Sequence, residues 1–212
     1  MEGNIVLEIY LFIDPLNRHC YDAEKVINKL SQKLKSNVSV RFLTMLNIRV
    51  VNDLATCTPE KAVDHELPFK VILDSKAASF QGKRFGRNFL MDLQHEILDN
   101  AEDYCDDLVL ELAEKNGLDC DMFREDRRSN LAKKMFRADQ RVANEMSVKT
   151  PASTVLFNSA VDGNGLLIKD YDYNSLYNFC SRSISSAKHF EELAKPTDPN
   201  STVVQFVNLG RM

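Results

Sequence analysis

The sequence predicts an α/β protein in which a sheet-based domain is interrupted by a large helical insertion. Three observations carry this. Residues 5–43 read as strand, helix and strand with tight connections. From residue 56 to 145 the apolar residues recur mainly at helical spacing, and beyond Thr150-Pro151 the period of two returns before a last helix. The expected units are 1–55 with 146–195 as one discontinuous domain, 56–145 as an inserted helical domain, and 196–212 as a C-terminal tail.

Ile5 to Ile13 is an apolar run with one acidic interruption, Glu8, which is the pattern of a buried strand. Asp14-Pro15 breaks it. From Tyr21, Ala23, Val26, Ile27, Leu30 and Leu34 recur at three- and four-residue steps, giving an amphipathic helix packed by one face. Ser36-Asn37 ends that helix, and Val38, Val40 and Phe42 alternate as a second strand, so a βαβ unit with parallel strands is expected. Cys57-Thr58-Pro59-Glu60 and Leu67-Pro68 punctuate the next segment, and Val71 to Leu73 reads either as a short strand or as a turn of helix.

Leu90, Leu93, Ile97, Ala101, Tyr104, Leu108 and Leu112 form one long stripe, with Gly117 as its C-terminal stop. Asp119 is placed to cap a further helix, and Leu131, Met135, Ala138 and Val142 mark another. Thr154 to Phe157 and Leu166 to Lys169 flank Asp162-Gly163-Asn164-Gly165, a hairpin turn. Tyr173 to about Leu193 reads as a last helix ended by Pro196 and Pro199. The tail carries Val203 to Val207, a β-type segment that either folds back on the domain or docks elsewhere.

Composition narrows the function classes. At 212 residues, with 44% hydrophobic and 27% charged residues, the chain resembles an ordinary globular protein that buries a real core. A formal charge of −4 gives no general drive toward nucleic acid. No stretch approaches the roughly 18 apolar residues that span a membrane. The N-terminus shows no basic region followed by an apolar core and a cleavage site, so a cytoplasmic location is expected. The five cysteines, Cys20, Cys57, Cys105, Cys120 and Cys180, are odd in number and scattered, which fits reduced thiols. The four histidines, His19, His65, His95 and His189, form no ligand-spaced pair, so no metal site is expected.

The chemistry concentrates in Asn17-Arg18-His19-Cys20, where the first strand gives way to the first helix. A helix N-terminus offers unpaired N–H groups and a positive dipole end that stabilise a thiolate. Cys20, beside Arg18 and His19, is therefore a candidate reactive thiol; the alternative is a small buried packing residue. Asn17 has the chemistry of an N-cap, and His19 reads as a base, a proton donor or a polar turn residue. The basic runs Lys83 to Arg87 and Arg124 to Arg128 read either as contacts for an acidic partner or nucleic acid or as solvated helix faces, and the acidic stretch Asp99 to Asp107 has the same solvated-face alternative.

The element order, the entry Ile9-Tyr10-Leu11-Phe12-Ile13-Asp14-Pro15-Leu16, Gly117-Leu118-Asp119 before Phe123, and Val148-Lys149-Thr150-Pro151 before Val155-Leu156-Phe157 resemble the DsbA branch of the thioredoxin-like superfamily. Within that branch the chain is most similar to the YjbH/SpxH adapter family. The resemblance implies a thioredoxin-like fold with a large helical insertion and a cis-proline loop at Thr150-Pro151. It also implies an adapter that binds the transcription regulator Spx and promotes its degradation by the ClpXP protease, without a cofactor. In redox members of the branch a C-x-x-C motif fills the turn; here the attacking position is Asn17, and Cys20 alone stands at the resolving position. The resemblance leaves a second class open: a DsbA-like thiol-disulfide oxidoreductase or glutathione-dependent isomerase, with a nucleophilic Cys20 and glutathione at the Pro151 loop.

Overall fold

Leu7–Ile13 forms β1, and Leu7, Ile9, Leu11, Phe12 and Ile13 are all fully buried. Near its C-terminal end neighbouring residues are buried together, so both faces of the strand are covered there. The computed structural model describes residues 5–46, 66–161, 164–193 and 203–208. Its chain falls into a sheet unit, Met1–Ile13, Asp22–Leu43 and Ala143–Met212, and a helical unit, Asp14–Tyr21 and Thr44–Val142. The turn after β1, Asp14–Tyr21, thus groups with the helices.

In the sheet unit, β2 (Val38–Thr44), β3 (Ser153–Asn158), β4 (Asn164–Ile168) and β5 (Val203–Asn208) join β1 in the order β2-β1-β3-β4-β5. β3 runs antiparallel to β1, pairing Leu7 with Asn158 and Ile9 with Leu156. β4 is antiparallel to β3, as the hairpin pattern predicts, although turn residues 162–163 lie outside the described set. Gly165 in β4 leaves room for the Phe157 ring: a Cβ there would lie 2.5 Å from it, so any larger residue needs the ring to move. The tail segment folds back as β5, antiparallel to β4.

Helix α1 (Arg18–Leu34) buries Cys20, Glu24, Ile27 and Leu30 along one face. The expected last helix is two: Tyr173–Ser185 and Ala187–Leu193 are separated by Ser186, which is extended at φ −153°. Phe179 and fully buried Phe190 close the joint with ring centroids 6.0 Å apart.

The helical unit is built around α2 (Leu67–Phe80), so the open choice at Val71–Leu73 resolves to helix. Pro68 sits in its first turn, where a missing N–H costs nothing. α3 (Lys83–Gln94) crosses closely: a Cβ on Gly86 would come 2.7 Å from the Ser79 Cα. The long stripe predicted as one helix is broken. A π-type turn, His95–Asp99, follows α3, and Ala101 adopts φ +56° before α4 (Asp106–Lys115) begins. Wide hydrogen bonds, Asn100 N–H to His95 O and Glu102 N–H to Glu96 O, unwind the end of α3. The Cys105 sulfur and the acidic pair Asp106-Asp107 then favour a fresh N-terminus.

Gly117, at φ +73°, ends the next turn as expected, with Leu118 N–H reaching back to Ala113 O. Asp119 caps α5 (Cys120–Arg128) by accepting from Asp121 and Met122 N–H at 3.0 Å each. Phe123 meets Phe89 edge-on at 5.3 Å. α6 (Asn130–Glu145) places Asp139 against Lys76, a pair nearly sealed from solvent. Asp139 also accepts from Thr44 N–H at 2.9 Å and Thr44 Oγ1 at 3.0 Å. A buried charge pair survives when its remaining lone pairs are filled in this way.

Candidate functional site

The turn between β1 and α1 is fastened from within. Asn17 N–H donates to Asp14 O at 3.1 Å, and Leu16 N–H donates to Asp14 Oδ1 at 3.1 Å. Asn17 Oδ1 then accepts from His19 N–H at 2.9 Å and Cys20 N–H at 3.2 Å. Those are two of the orphan donors that open every helix. The N–H groups that would stabilise a thiolate at this helix start are thus engaged by an amide side chain.

Cys20 is fully buried, and its sulfur accepts from Asp14 N–H at 3.4 Å. Of the two readings of Cys20, this geometry is that of a packing residue: a nucleophile needs an open trajectory to its sulfur, and here there is none. Cys20, Cys105, Cys120 and Cys180 form no disulfide with one another. Cys180 is buried, and burial pushes its thiol up to about 12, whereas Cys105 is exposed. Cys57 and His65 lie outside the described residues.

Arg18 and His19 remain at the surface. Arg18 donates to Leu98 O at 3.2 Å and forms an ion pair with Asp99, which also binds His95 Nδ1 at 2.8 Å. Fully buried Gln94 donates to Pro15 O at 3.1 Å. The π-type turn that the stripe of apolar residues concealed is thus the seat of the Asn17–Cys20 turn. Nothing local in the sequence ties Gln94 or Asp99 to it.

The Thr150-Pro151 loop belongs to the sheet unit. Ser153 Oγ donates to Thr150 O at 2.8 Å, and Ala152 N–H donates to Phe12 O at 2.8 Å. The expected cis bond is absent: no peptide among the described residues is cis, so Thr150–Pro151 is trans. The reversal is made instead by left-handed backbone at Ser147, φ +54°, and Ala152, φ +59°. Trans is the lower-energy isomer of an X–Pro bond wherever neighbouring residues can make the turn.

Arg127 does not lie on a solvated face: its side chain is mostly buried against Asp74 at 2.6 Å and reaches Asp106 at 2.9 Å. Tyr104 O–H donates to Asp74 Oδ2 at 2.7 Å. Burial raises the Asp74 carboxyl above its ordinary range while Arg127 pulls it down. Burial also opposes charge on Arg127, but Asp74 and then Asp106 outweigh it and hold the guanidinium above its usual value. The available signal is Asp74 itself, an acid directly after the apolar run Val71-Ile72-Leu73. Among the described residues no group of three His, Cys, Asp or Glu is placed to hold a metal ion. No described helix is long and apolar enough to cross a membrane.

The sheet order and the helical insertion define a thioredoxin-like fold of the DsbA type. The chain belongs to the thioredoxin family, whose model matches residues 10–179. It is similar to the ClpXP adapter protein SpxH of Staphylococcus saprophyticus, 29% identical over 169 residues, covering 79% of this chain and 62% of the relative. The ClpXP adapter protein SpxH of Bacillus subtilis is 30% identical over 192 residues, covering 79% and 64%. The chain thus spans under two thirds of the length of these relatives.

Among solved structures, a disulfide isomerase candidate from Nitrosomonas europaea superposes with a TM-score of 0.65 at 14% identity, covering 85% of this chain and 98% of that one. Reduced DsbA1 from Neisseria meningitidis gives 0.58 at 12%, covering 91% and 95%. At such identities the likeness establishes the fold.

Proposed function

We propose that this protein is a cytoplasmic adapter that binds the transcription regulator Spx and presents it to the ClpXP protease. The observation that carries the reading is the similarity to curated ClpXP adapters over most of this chain. The site geometry supports it. A capped turn with a buried sulfur is a poor redox centre, yet it presents Arg18, tied to Asp99, and the bonded backbone of His19 at the surface. Rigid presentation lowers the ordering cost of a contact, which favours recognition over chemistry.

In this reading Asn17, Arg18 and His19 contact the partner, Cys20 packs beneath them, and the Thr150-Pro151 loop offers a separate contact. No cofactor takes part. The test is degradation of purified Spx by ClpXP with and without this protein. Faster loss of Spx is expected, and an unchanged rate refutes the proposal. The oxidoreductase or glutathione-dependent isomerase reading requires an accessible thiolate at Cys20, and the buried sulfur counts against it.

A further inference from the structure

The helical unit carries a cleft of about 580 Å³, lined by Lys70, Leu73, Asp74, Tyr104, Asp106, Leu110, Arg124, Arg127 and Arg128. Its size is that of a ligand site rather than a packing defect. Four cations face two carboxylates in it, on a chain whose formal charge is −4. Local charge therefore opposes the global sign, and low-dielectric walls focus such a field.

The carboxylates are not equivalent. Asp74 lies at the floor, held by Arg127 and the Tyr104 hydroxyl. Asp106 reaches Arg127 from the rim at 2.9 Å, with its side chain 77% exposed. Arg127 thus already binds a solvent-exposed carboxylate in the manner of a docked ligand. At the rim, Arg128 is exposed and has no ion-pair partner among the described residues. Among the described residues Arg124 pairs with Asp121 of its own helix, an exposed pair of little strength. Leu73, Leu110 and the Tyr104 ring add apolar wall between the charges.

We propose that this cleft binds an acidic peptide segment of a protein partner, with carboxylates on Arg124, Arg127 and Arg128 and an apolar side chain between Leu73 and Leu110. Guanidinium forks match carboxylates geometrically, and the apolar wall explains why a peptide, rather than a bare anion, fits the volume. The site is separate from the Asn17–Cys20 turn and does not depend on the adapter reading.

The experiment is fluorescence anisotropy of the full chain with a labelled peptide of alternating glutamate and leucine. A glutamine-for-glutamate peptide and inorganic phosphate serve as controls. Saturable, salt-sensitive binding of the glutamate peptide alone is expected. Arg124→Glu with Arg128→Glu should weaken it about tenfold or more, because two attractions become repulsions. Asp106→Asn should tighten it roughly three- to tenfold, because the internal competitor loses its charge. Absence of saturable binding, equal binding of the glutamine peptide, displacement by phosphate at equal concentration, or no gain in Asp106→Asn would each overturn the site. The last arm replaces an exposed side chain with a near-isostere, so it reads binding even if the double charge reversal fails to fold. Spx and ClpXP are absent from the assay, so its failure and that of the adapter reading are distinguishable.

Discussion

Replacing Asn17 with alanine removes the acceptor of two hydrogen bonds, from His19 N–H at 2.9 Å and Cys20 N–H at 3.2 Å. The backbone bond from Tyr21 N–H to Asn17 O, at 3.1 Å, remains. Loss of an N-cap of this kind costs about 1 kcal/mol, within a range of about 0.5–2. With a urea m-value of about 2–3 kcal/mol/M, that lowers the midpoint by about 0.3–0.5 M. Asn17→Asp keeps the acceptor and adds a negative charge at the positive end of α1, so it should match or slightly exceed the native protein. Hydrogen exchange supplies the local readout: the His19 and Cys20 amides should lose protection in the alanine variant and keep it in the aspartate variant. Equal midpoints and equal protection in all three proteins would refute the capping argument. So would Asn17→Asp behaving like Asn17→Ala.

The remaining predictions concern the core and the thiols. Asp139→Ala strands the buried Lys76 ammonium and removes the acceptor of Thr44 N–H and Oγ1. It should cost about 3–5 kcal/mol, with Lys76→Met/Asp139→Leu recovering most of it in denaturant titrations. Under native conditions an alkylating reagent should modify exposed Cys105 quickly and Cys20 and Cys180 only on unfolding, as mass mapping would show. Cys180 also sets a pH dependence. Its thiol ionises near 9.0 when unfolded and about 12 when folded, so between those values the unfolded state releases the proton first. Stability therefore falls as pH rises through that window, by up to about 1.4 kcal/mol per pH unit. Cys180→Ala should show a shallower slope there than the native protein.

Strand β1, the buried face of α1, the caps at Asp119 and Asn17 and the stop at Gly117 were legible because each depends on residues within a turn or two. The break at His95–Asp99 was not. Leu93, Ile97 and Ala101 keep helical spacing across it, and the unwinding depends on backbone hydrogen bonds with no sequence signature. The trans bond at Pro151 was equally hidden, since left-handed Ser147 and Ala152 are ordinary residues at uncommon dihedrals. Within the candidate site, the identity of the turn residues could be read directly. What holds the turn could not: Asp99 lies eighty-one positions from Arg18, and Asp74 fifty-three from Arg127. Partners so distant meet only once the helices have packed, which is why Arg127 read as solvated.

Under the proposed adapter role, this thioredoxin-like chain acts by recognition and not through Cys20. The most direct measurement is the rate at which ClpXP degrades Spx in the presence of the native protein and of Cys20→Ser, whose hydroxyl can still accept from Asp14 N–H. Acceleration by both, to the same extent, is expected. Acceleration by neither, or acceleration lost in a folded Cys20→Ser protein, would contradict it.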